Sequence, residues 1–497
     1  MESHSHTKRV LVLGGGITGL AAAHRLIELS QQRGMQLNVT LLEASDRVGG
    51  VIRTEHADGF LVERGPDNFI TTRPSATNLC ERLGLGDELI KTNDAHRRAM
   101  VVRKGRLVPV PEGFELMAPR NLWAMAMSPI FSPLGKLRML MERFVAPRQD
   151  NDDESLESFV VRRLGREALD RLVQPLIGGI YVADPRHLSL RATVPRFLDM
   201  ESKHGSIIKA LRANKRNQPD TGVAKDTGAR YSLFMTLRRG MQSLVDALAM
   251  KLATHVQLAA KVELVEAGVK SEESVLRSQE VASGAPRWSV RLADGRVLHA
   301  DAIMVAAPSH VAARWLQRVD GPLATALGAV SYASSAIVVL GYKREQIAHD
   351  LDAFGFVVPA IEKRRLVAGS FSSQKYEGRA PKGHVLLRAF MGGALQPDLA
   401  ALPEDQLIAL AKEEFGSLLG VSGEPVLVRV QRWMQSMPQY HVGHLKHVAN
   451  IHAMAARHAG LHLVGNAYEG VGVPDCIASA EAEADRVMRG LFGEQIT

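Results

Sequence analysis

The chain has 497 residues, 46% of them hydrophobic and 23% charged, with a formal net charge of +8 that is spread along the sequence. That length suits two or three domains with sizeable cores, and the diffuse charge describes a basic soluble surface rather than a dense polyanion-binding block. The two cysteines, Cys80 and Cys476, lie far apart without a Cys-x-x-Cys, which excludes a disulfide framework or a cysteine-based zinc site and fits a reducing compartment.

Residues 1–9 are short and polar, and no run of 18 uncharged apolar residues follows anywhere. Neither a secretory or transit signal nor a spanning helix is expected, so the reading is cytoplasmic. Val10–Leu13 then forms an apolar run that enters Gly14-x-Gly16-x-x-Gly19 and a helical stretch carrying Leu20, Ala21, Ala22, Ala23, Leu26 and Ile27. Val39–Leu42 reads as the next strand and ends at Glu43. Strand, glycine turn, helix, strand and acid, at a spacing of roughly 20 residues, form a dinucleotide-binding fingerprint. Gly14 permits the tight turn, Gly16 lets the backbone approach a pyrophosphate, and Gly19 lets helix and sheet pack closely. The free N–H groups of the helix start attract the phosphates, and Glu43 accepts from ribose hydroxyls while repelling a 2′-phosphate.

Residues 100–112 predict a hairpin turning at Lys104-Gly105. Residues 113–147 carry a cationic set (Arg120, Lys136, Arg138, Arg143) and an apolar stripe of Leu134, Leu137, Leu140, Met141 and Phe144 at helical spacing. The spacing favours core, with a membrane-facing or channel-lining surface as the alternative. A polar linker, 148–154, leads to Ser155, a cap for a helix with Leu156, Phe159, Val160 and Leu164 on one face. Residues 201–230, with Lys203, Lys209, Lys215, Arg216 and Lys225, read as a surface excursion. No aromatic residue interleaves with these charges before Tyr231, so no nucleic-acid partner is expected.

Further on, 240–252 reads as helix, 256–265 as strand, 288–300 as a hairpin around Asp294-Gly295, and 301–308 as a buried strand ending at Pro308. Residues 312–450 alternate strands and helices like a separate domain, and 461–497 close the chain with a strand, a glycine-rich turn and an Ala/Glu-rich helix. The fold class is therefore α/β (α+β). A Rossmann-like nucleotide-binding domain is assembled from 7–93, 231–311 and 457–497. A mixed-sheet substrate-binding domain takes 94–112 and 312–456, a helical domain 113–210, and a surface loop 211–230.

Glu43-Ala44-Ser45-Asp46-Arg47-Val48-Gly49-Gly50 with Arg53 resembles the superfamily of flavin amine oxidases, phytoene desaturases and protoporphyrinogen oxidases. Leu463-Val464-Gly465-Asn466, continuing to Tyr468 and Gly470-Val471-Gly472-Val473-Pro474-Asp475-Cys476, is similar to its second FAD segment. Many relatives have an acid where Asn466 stands, which can still bond a ribityl chain without adding charge. Five strings resemble the protoporphyrinogen oxidase family in particular, and they span nearly the whole chain in order. They are Glu63-Arg64-Gly65-Pro66-Asp67-Asn68, Gly179–Ser189, Ala353–Pro359, Pro438–His444 and Tyr468–Cys476. Residues 113–150 and 201–230 match least.

The resemblance implies noncovalent FAD held by Gly14, Gly15, Gly16, Ile17, Thr18, Gly19, Glu43, Ala44, Arg47, Gly49, Gly50, Gly65, Pro66, Asp67, Asn68, Val262, Gly465, Asn466, Val471, Gly472 and Val473. Val262 would meet the adenine through its backbone, and N–H groups at the last helix start would stabilise negative charge at flavin N1/O2. It implies a six-electron oxidation of a porphyrinogen in haem biosynthesis by O2, releasing H2O2, on either protoporphyrinogen IX or coproporphyrinogen III. Val357 and Phe390 would sandwich the macrocycle, and Gly179 would let the backbone approach the ring edge, unless it serves a strained turn. The family's Tyr-Ala-Gly-Asp is Tyr181-Val182-Ala183-Asp184 here, which alters that edge. Arg98 stands nearest the family's propionate-binding cation, whose register holds Ala99. No catalytic acid–base set and no metal site is expected, and His441 and His444 read as structural. The partners implied are the porphyrinogen, O2, a peripheral membrane contact on the inner face and handover to a downstream haem-pathway enzyme, with a monomer or homodimer. A flavin amine oxidase is the enzymatic alternative. A prenyl-protein chaperone of the GDI type, a binding protein on the same fold, is the non-enzymatic one.

Overall fold

The computed structural model describes residues 7–111, 114–115, 117–119, 121–217, 234–268 and 287–493. Glu112, Arg120, Lys225 and Tyr231 of the expectations above lie outside these residues, as do residues 218–230 and the side chains of Lys215 and Arg216.

Five parallel strands form the first sheet, in the order Val256–Gln257, Leu37–Leu42, Lys8–Leu13, Ala302–Val305, Leu461–Leu463. Alternation along the Lys8–Leu13 strand sets up two cores, because successive side chains point to opposite faces. Val10 and Val12 pack with the helices Ile17–Gln32, Gln242–Lys251 and Val473–Phe492. Leu11 and Leu13 face an antiparallel meander, Val262–Ala267, Trp288–Leu292 and Val297–Ala300, together with the helices Ser309–Leu316, Gly321–Gly328 and His444–Ala455. Two of these helices, Gly321–Gly328 and His444–Ala455, lie wholly in the 312–456 portion of the sequence reading, yet share a core with the nucleotide-type sheet.

The strand expected over 256–265 is two strands. Ala259 turns the chain at φ 51°, with its N–H and that of Ala260 bonded to the carbonyls of Ser45 and Glu43. Val256–Gln257 therefore stays in the parallel sheet while Val262–Ala267 enters the meander.

A seven-stranded mixed sheet runs Leu427–Pro438, Tyr332–Lys343, His384–Gly392, Ala368–Phe371, Gly355–Val357, Met100–Arg103, Arg106–Pro109. Its last two strands are the expected hairpin. Lys104 and Gly105 both have positive φ, as a two-residue turn of that hand requires, and both N–H groups donate to Glu362.

Helices between 122 and 217 form the third region. Ser155 caps Leu156–Leu164 by accepting from the Ser158 N–H at 3.1 Å. The surface excursion expected from residue 201 is corrected by the structure: Arg196–His204 and Ile207–Asn217 are packed helices. Ile207 and Leu211 enter the core, and buried Glu201 accepts from Arg162 and Arg163. The loop boundary at 211 consequently falls inside a helix.

The core reading of the apolar stripe is also overturned. In the helix Pro133–Leu140 only Gly135 and Met139 are buried. Arg138 turns inward and donates to the carbonyls of Val161, Arg162 and Arg163, the open end of the neighbouring helix. That orientation leaves Leu134, Leu137, Leu140, Met141 and Phe144 exposed, with Trp123 and Met127 beside them in sequence and equally exposed. Among the described residues no helix is long and apolar enough to cross a membrane.

Candidate functional site

The glycine motif is shaped by what a side chain would hit. A Cβ on Gly14, whose φ is +113°, would lie 2.5 Å from the Ala306 carbonyl oxygen, and one on Gly19 would lie 1.9 Å from that of Gly14. Gly16 instead faces open space, with no atom within 4 Å of its Cβ position. The helix starting at Ile17 has no side-chain cap and no acid in its first turn, so the N–H groups of Ile17, Thr18 and Gly19 are left for an outside acceptor. Open space beside uncapped donors fits a diphosphate.

Glu43 is fastened to the motif itself. Its Oε2 accepts the Gly15 N–H at 2.6 Å, and its Oε1 accepts the Ser45 N–H and hydroxyl. A carboxylate oxygen has two lone pairs, so Oε2 keeps one acceptor position for a hydroxyl. Neighbouring Ala44 is exposed. Arg47 donates to the carbonyls of Val48, Gly50 and Ile52, and so shapes its own loop. That loop returns Gly49 to Gly16 in a parallel bridge, and Gly50, at φ +56°, packs on the Gly16 Cα. Gly65 admits no side chain either, since its Cβ would lie 1.9 Å from the Val51 oxygen. Pro66, Asp67 and Asn68 continue from it, with Asn68 donating to Asp67 at 2.7 Å. The Val262 carbonyl accepts from the Trp315 indole at 3.0 Å.

The second glycine segment leads into the last helix. Gly465 has φ +130° and an open Cβ position. The helix start near Val471, Gly472 and Val473 carries Asp475, which accepts from the Gly472 N–H and pairs with Arg73 at 2.5 Å. Tyr440 fastens this turn: its hydroxyl donates to the Asn466 carbonyl at 2.5 Å and accepts from the Gly470 N–H at 2.9 Å. The Tyr440 ring stacks on buried His444 at 4.0 Å and approaches Tyr181 at 6.4 Å, while its carbonyl accepts from the Ser189 N–H. Burial pushes the His444 imidazole down to about 4. The Pro438–His444 string thus ties the second glycine turn to the helical region, a role its residue types do not announce.

An apolar row, a wall of side chains, runs along one face of the seven-stranded sheet. Val357 pairs with Ala368, Ala368 with Phe390 and Phe390 with Ile337, which sets these side chains in one row on one sheet face. Gly179 meets that row, its Cβ position lying 3.8 Å from Val357 Cγ1. It sits inside the helix Gln174–Tyr181 and not in a strained turn. The strain falls three residues later on Val182, a β-branched residue in the left-handed region at φ 47°. Arg98 is half exposed and pairs with Asp352 at 3.0 Å.

Sequence reading missed a polar knot between residues 63–68 and the sheet. Asp67 accepts from Lys375 at 3.1 Å and lies 3.4 Å from Arg388. Burial pushes the Asp67 carboxyl up, but Lys375 and Arg388 outweigh it and hold it below the usual range. Glu63, hydrogen-bonded to Met241 N–H and Thr54, is pushed by burial up to about 7. Arg388 stands two residues before Phe390, and the period of a strand could have revealed it. Lys375 gave no signal.

The family model for flavin containing amine oxidoreductases matches residues 17–488. Coproporphyrinogen III oxidase of Bacillus subtilis (strain 168) is 33% identical over 98% of this chain and 99% of its own length. Chloroplastic protoporphyrinogen oxidase of Nicotiana tabacum is 30% identical over 96% and 85%. A candidate protoporphyrinogen oxidase from Exiguobacterium sp. 255-15, solved by crystallography, superposes with a TM-score of 0.82 at 28% identity, covering 97% of this chain and 98% of that one. With a five-stranded parallel sheet, a glycine motif that opens a helix and a second glycine segment that opens the last helix, this is a flavin-type oxidoreductase. The chain belongs to the flavin containing amine oxidoreductase family.

Proposed function

We propose that the protein is an FAD-dependent oxidase that converts a porphyrinogen to its porphyrin in haem biosynthesis. Each turnover removes six electrons and six protons and reduces three O2 to three H2O2. The observation that carries this is the likeness to a coproporphyrinogen III oxidase over 98% of the chain.

Bound noncovalently, FAD would supply the two-electron chemistry. Ile17, Thr18 and Gly19 N–H groups would hold its diphosphate, Glu43 a ribose hydroxyl, and Gly65 and Asn466 the chain nearer the ring. The Tyr440 clamp fixes the turn before Val471 and Val473, whose N–H groups would stabilise negative charge on the pyrimidine of a bound flavin, while the Gly472 N–H is given to Asp475. Gly179, Val357 and Phe390 orient the macrocycle by contact alone; none of them titrates, and aromatisation of the substrate supplies much of the driving force. We assign peripheral membrane contact to the exposed set Trp123, Met127, Leu134, Leu137 and Phe144, flanked by Lys136 and Arg143.

Purified protein, reconstituted with FAD, should oxidise a porphyrinogen in air with rising porphyrin fluorescence and three H2O2 per porphyrin. Activity on amines alone would assign it to the amine oxidases of its family, and a colourless protein that takes up no FAD would remove the enzymatic reading. Co-sedimentation with anionic vesicles, lost on Leu134→Ser with Phe144→Ser, checks the membrane assignment.

A further inference from the structure

The polar knot under the wall holds more positive charge than it neutralises. Arg388 is 2% exposed, and its guanidinium lies 5.0 Å over the Phe390 ring and donates to the Gly65 carbonyl at 2.5 Å. Among the described residues its Nε has no hydrogen-bond partner. Arg379, also 2% exposed, spends its donors on the Leu237 and Arg238 carbonyls and the Thr236 hydroxyl, with no ion pair among the described residues. Three cations therefore face Asp67 and Glu63, and burial shifts the Glu63 carboxyl towards its neutral form. A buried surplus of one sign is costly unless an outside ion completes it.

We propose that Arg388 and Lys375, beside Phe390, form a carboxylate subsite for a propionate that coproporphyrinogen III carries and protoporphyrinogen IX lacks. The inference rests on the porphyrinogen reading and deepens it. Arg388 and Phe390 stand two apart on one strand and so point to the same sheet face, which puts the cation at the edge of any ring lying on the wall. The side chains of Lys375 and Asp67, 14% and 17% exposed, keep the knot open to a ligand. Arg98, in contrast, is already matched by Asp352. A vinyl group at the same depth would leave the surplus cation unanswered, so the subsite selects the substrate with four carboxylates.

Steady-state kinetics of the FAD-loaded protein with both porphyrinogens decide it. In Lys375→Met, kcat/KM for coproporphyrinogen III should fall about tenfold, nearly all of it through KM, as expected when a charge-assisted bond to bound substrate is removed. For protoporphyrinogen IX it should stay within about twofold. Arg388→Lys should retain part of the preference, and flavin content checks that it folds. Equal loss on both substrates, or no change in either KM, would overturn the subsite. So would a shifted flavin reduction potential with KM untouched, which would mean that the cations serve the cofactor. If the native protein oxidises neither porphyrinogen, the functional reading itself fails. The subsite is then judged by fluorescence quenching: coproporphyrin III should bind more tightly than its tetramethyl ester, and Lys375→Met should erase the difference. Equal binding of acid and ester by the native protein would overturn it.

Discussion

The glycine cradle and the apolar row that runs through Val357 and Phe390 are made differently. The cradle is backbone: Gly14, Gly19, Gly49 and Gly65 sit where a Cβ would meet a carbonyl oxygen or a packed side chain at 1.9–3.1 Å, so only one residue type fits. The wall is side chain: Val357, Ala368 and Phe390 come from three strands, and Gly179 from a helix in another region, 3.8 Å from its neighbour. A backbone-built site tolerates almost no substitution but leaves a loud pattern. A side-chain-built site can be retuned one residue at a time and leaves a faint one.

The largest expected effect breaks that contrast if it fails. Gly19→Val should cost on the order of 3 kcal/mol through overpacking and lower flavin content at least about tenfold. Gly179→Ala adds a methyl at ordinary van der Waals distance and should leave flavin content unchanged, with any loss confined to KM. Absorbance per protein and KM read both.

The pH dependence of stability comes next, because two buried groups beside the site oppose each other. His444 has a folded value of about 4 against an ordinary 6.5, so the native state binds fewer protons in that window. Its stability term is full above 6.5 and is lost as the pH falls towards 4, about 3 kcal/mol in all. Glu63 has a folded value of about 7 against 4.5, so its term is full below 4.5 and is lost as the pH rises through 7, again about 3 kcal/mol. Between 4.5 and 6.5 the slopes nearly cancel. Glu63→Gln should uncover stability that rises with pH, and His444→Asn stability that falls, both read from urea midpoints across that range.

Tyr440→Phe sharpens the comparison from the junction. It keeps the stack on His444 but leaves the Asn466 carbonyl and the Gly470 N–H without their partner, a loss of about 2 kcal/mol. A lower melting temperature with an altered flavin absorption band is expected, whereas an unchanged flavin band would make the clamp merely structural. The smallest effect is at Val182→Gly. Relief of the left-handed strain at φ 47° should outweigh the added chain entropy by about 0.5 kcal/mol, raising the melting temperature slightly.

Legibility followed the same division. The parallel strands at Lys8–Leu13 and Leu37–Leu42, the Lys104-Gly105 turn and the Ser155 cap are local, so spacing and residue type revealed them. The split after Gln257 was hidden because hydrophobicity runs on through a turn set by hydrogen bonds to Glu43 and Ser45, over 200 residues away. The outward stripe at Leu134–Phe144 was misread because an inward-turned, half-buried arginine, Arg138, decides which face turns in. Arg388, Lys375 and Asp67 meet only through tertiary contacts, so no spacing could join them.

In the proposed function the two ends of the chain build a flavin cradle against a wall that holds a porphyrinogen. The direct test is anaerobic mixing of the FAD-loaded protein with coproporphyrinogen III, followed by flavin absorbance. Bleaching of the flavin within the mixing experiment, followed on admission of air by recovery of the band and growth of porphyrin fluorescence, is the result expected. A flavin that stays oxidised in the presence of both coproporphyrinogen III and protoporphyrinogen IX would contradict it.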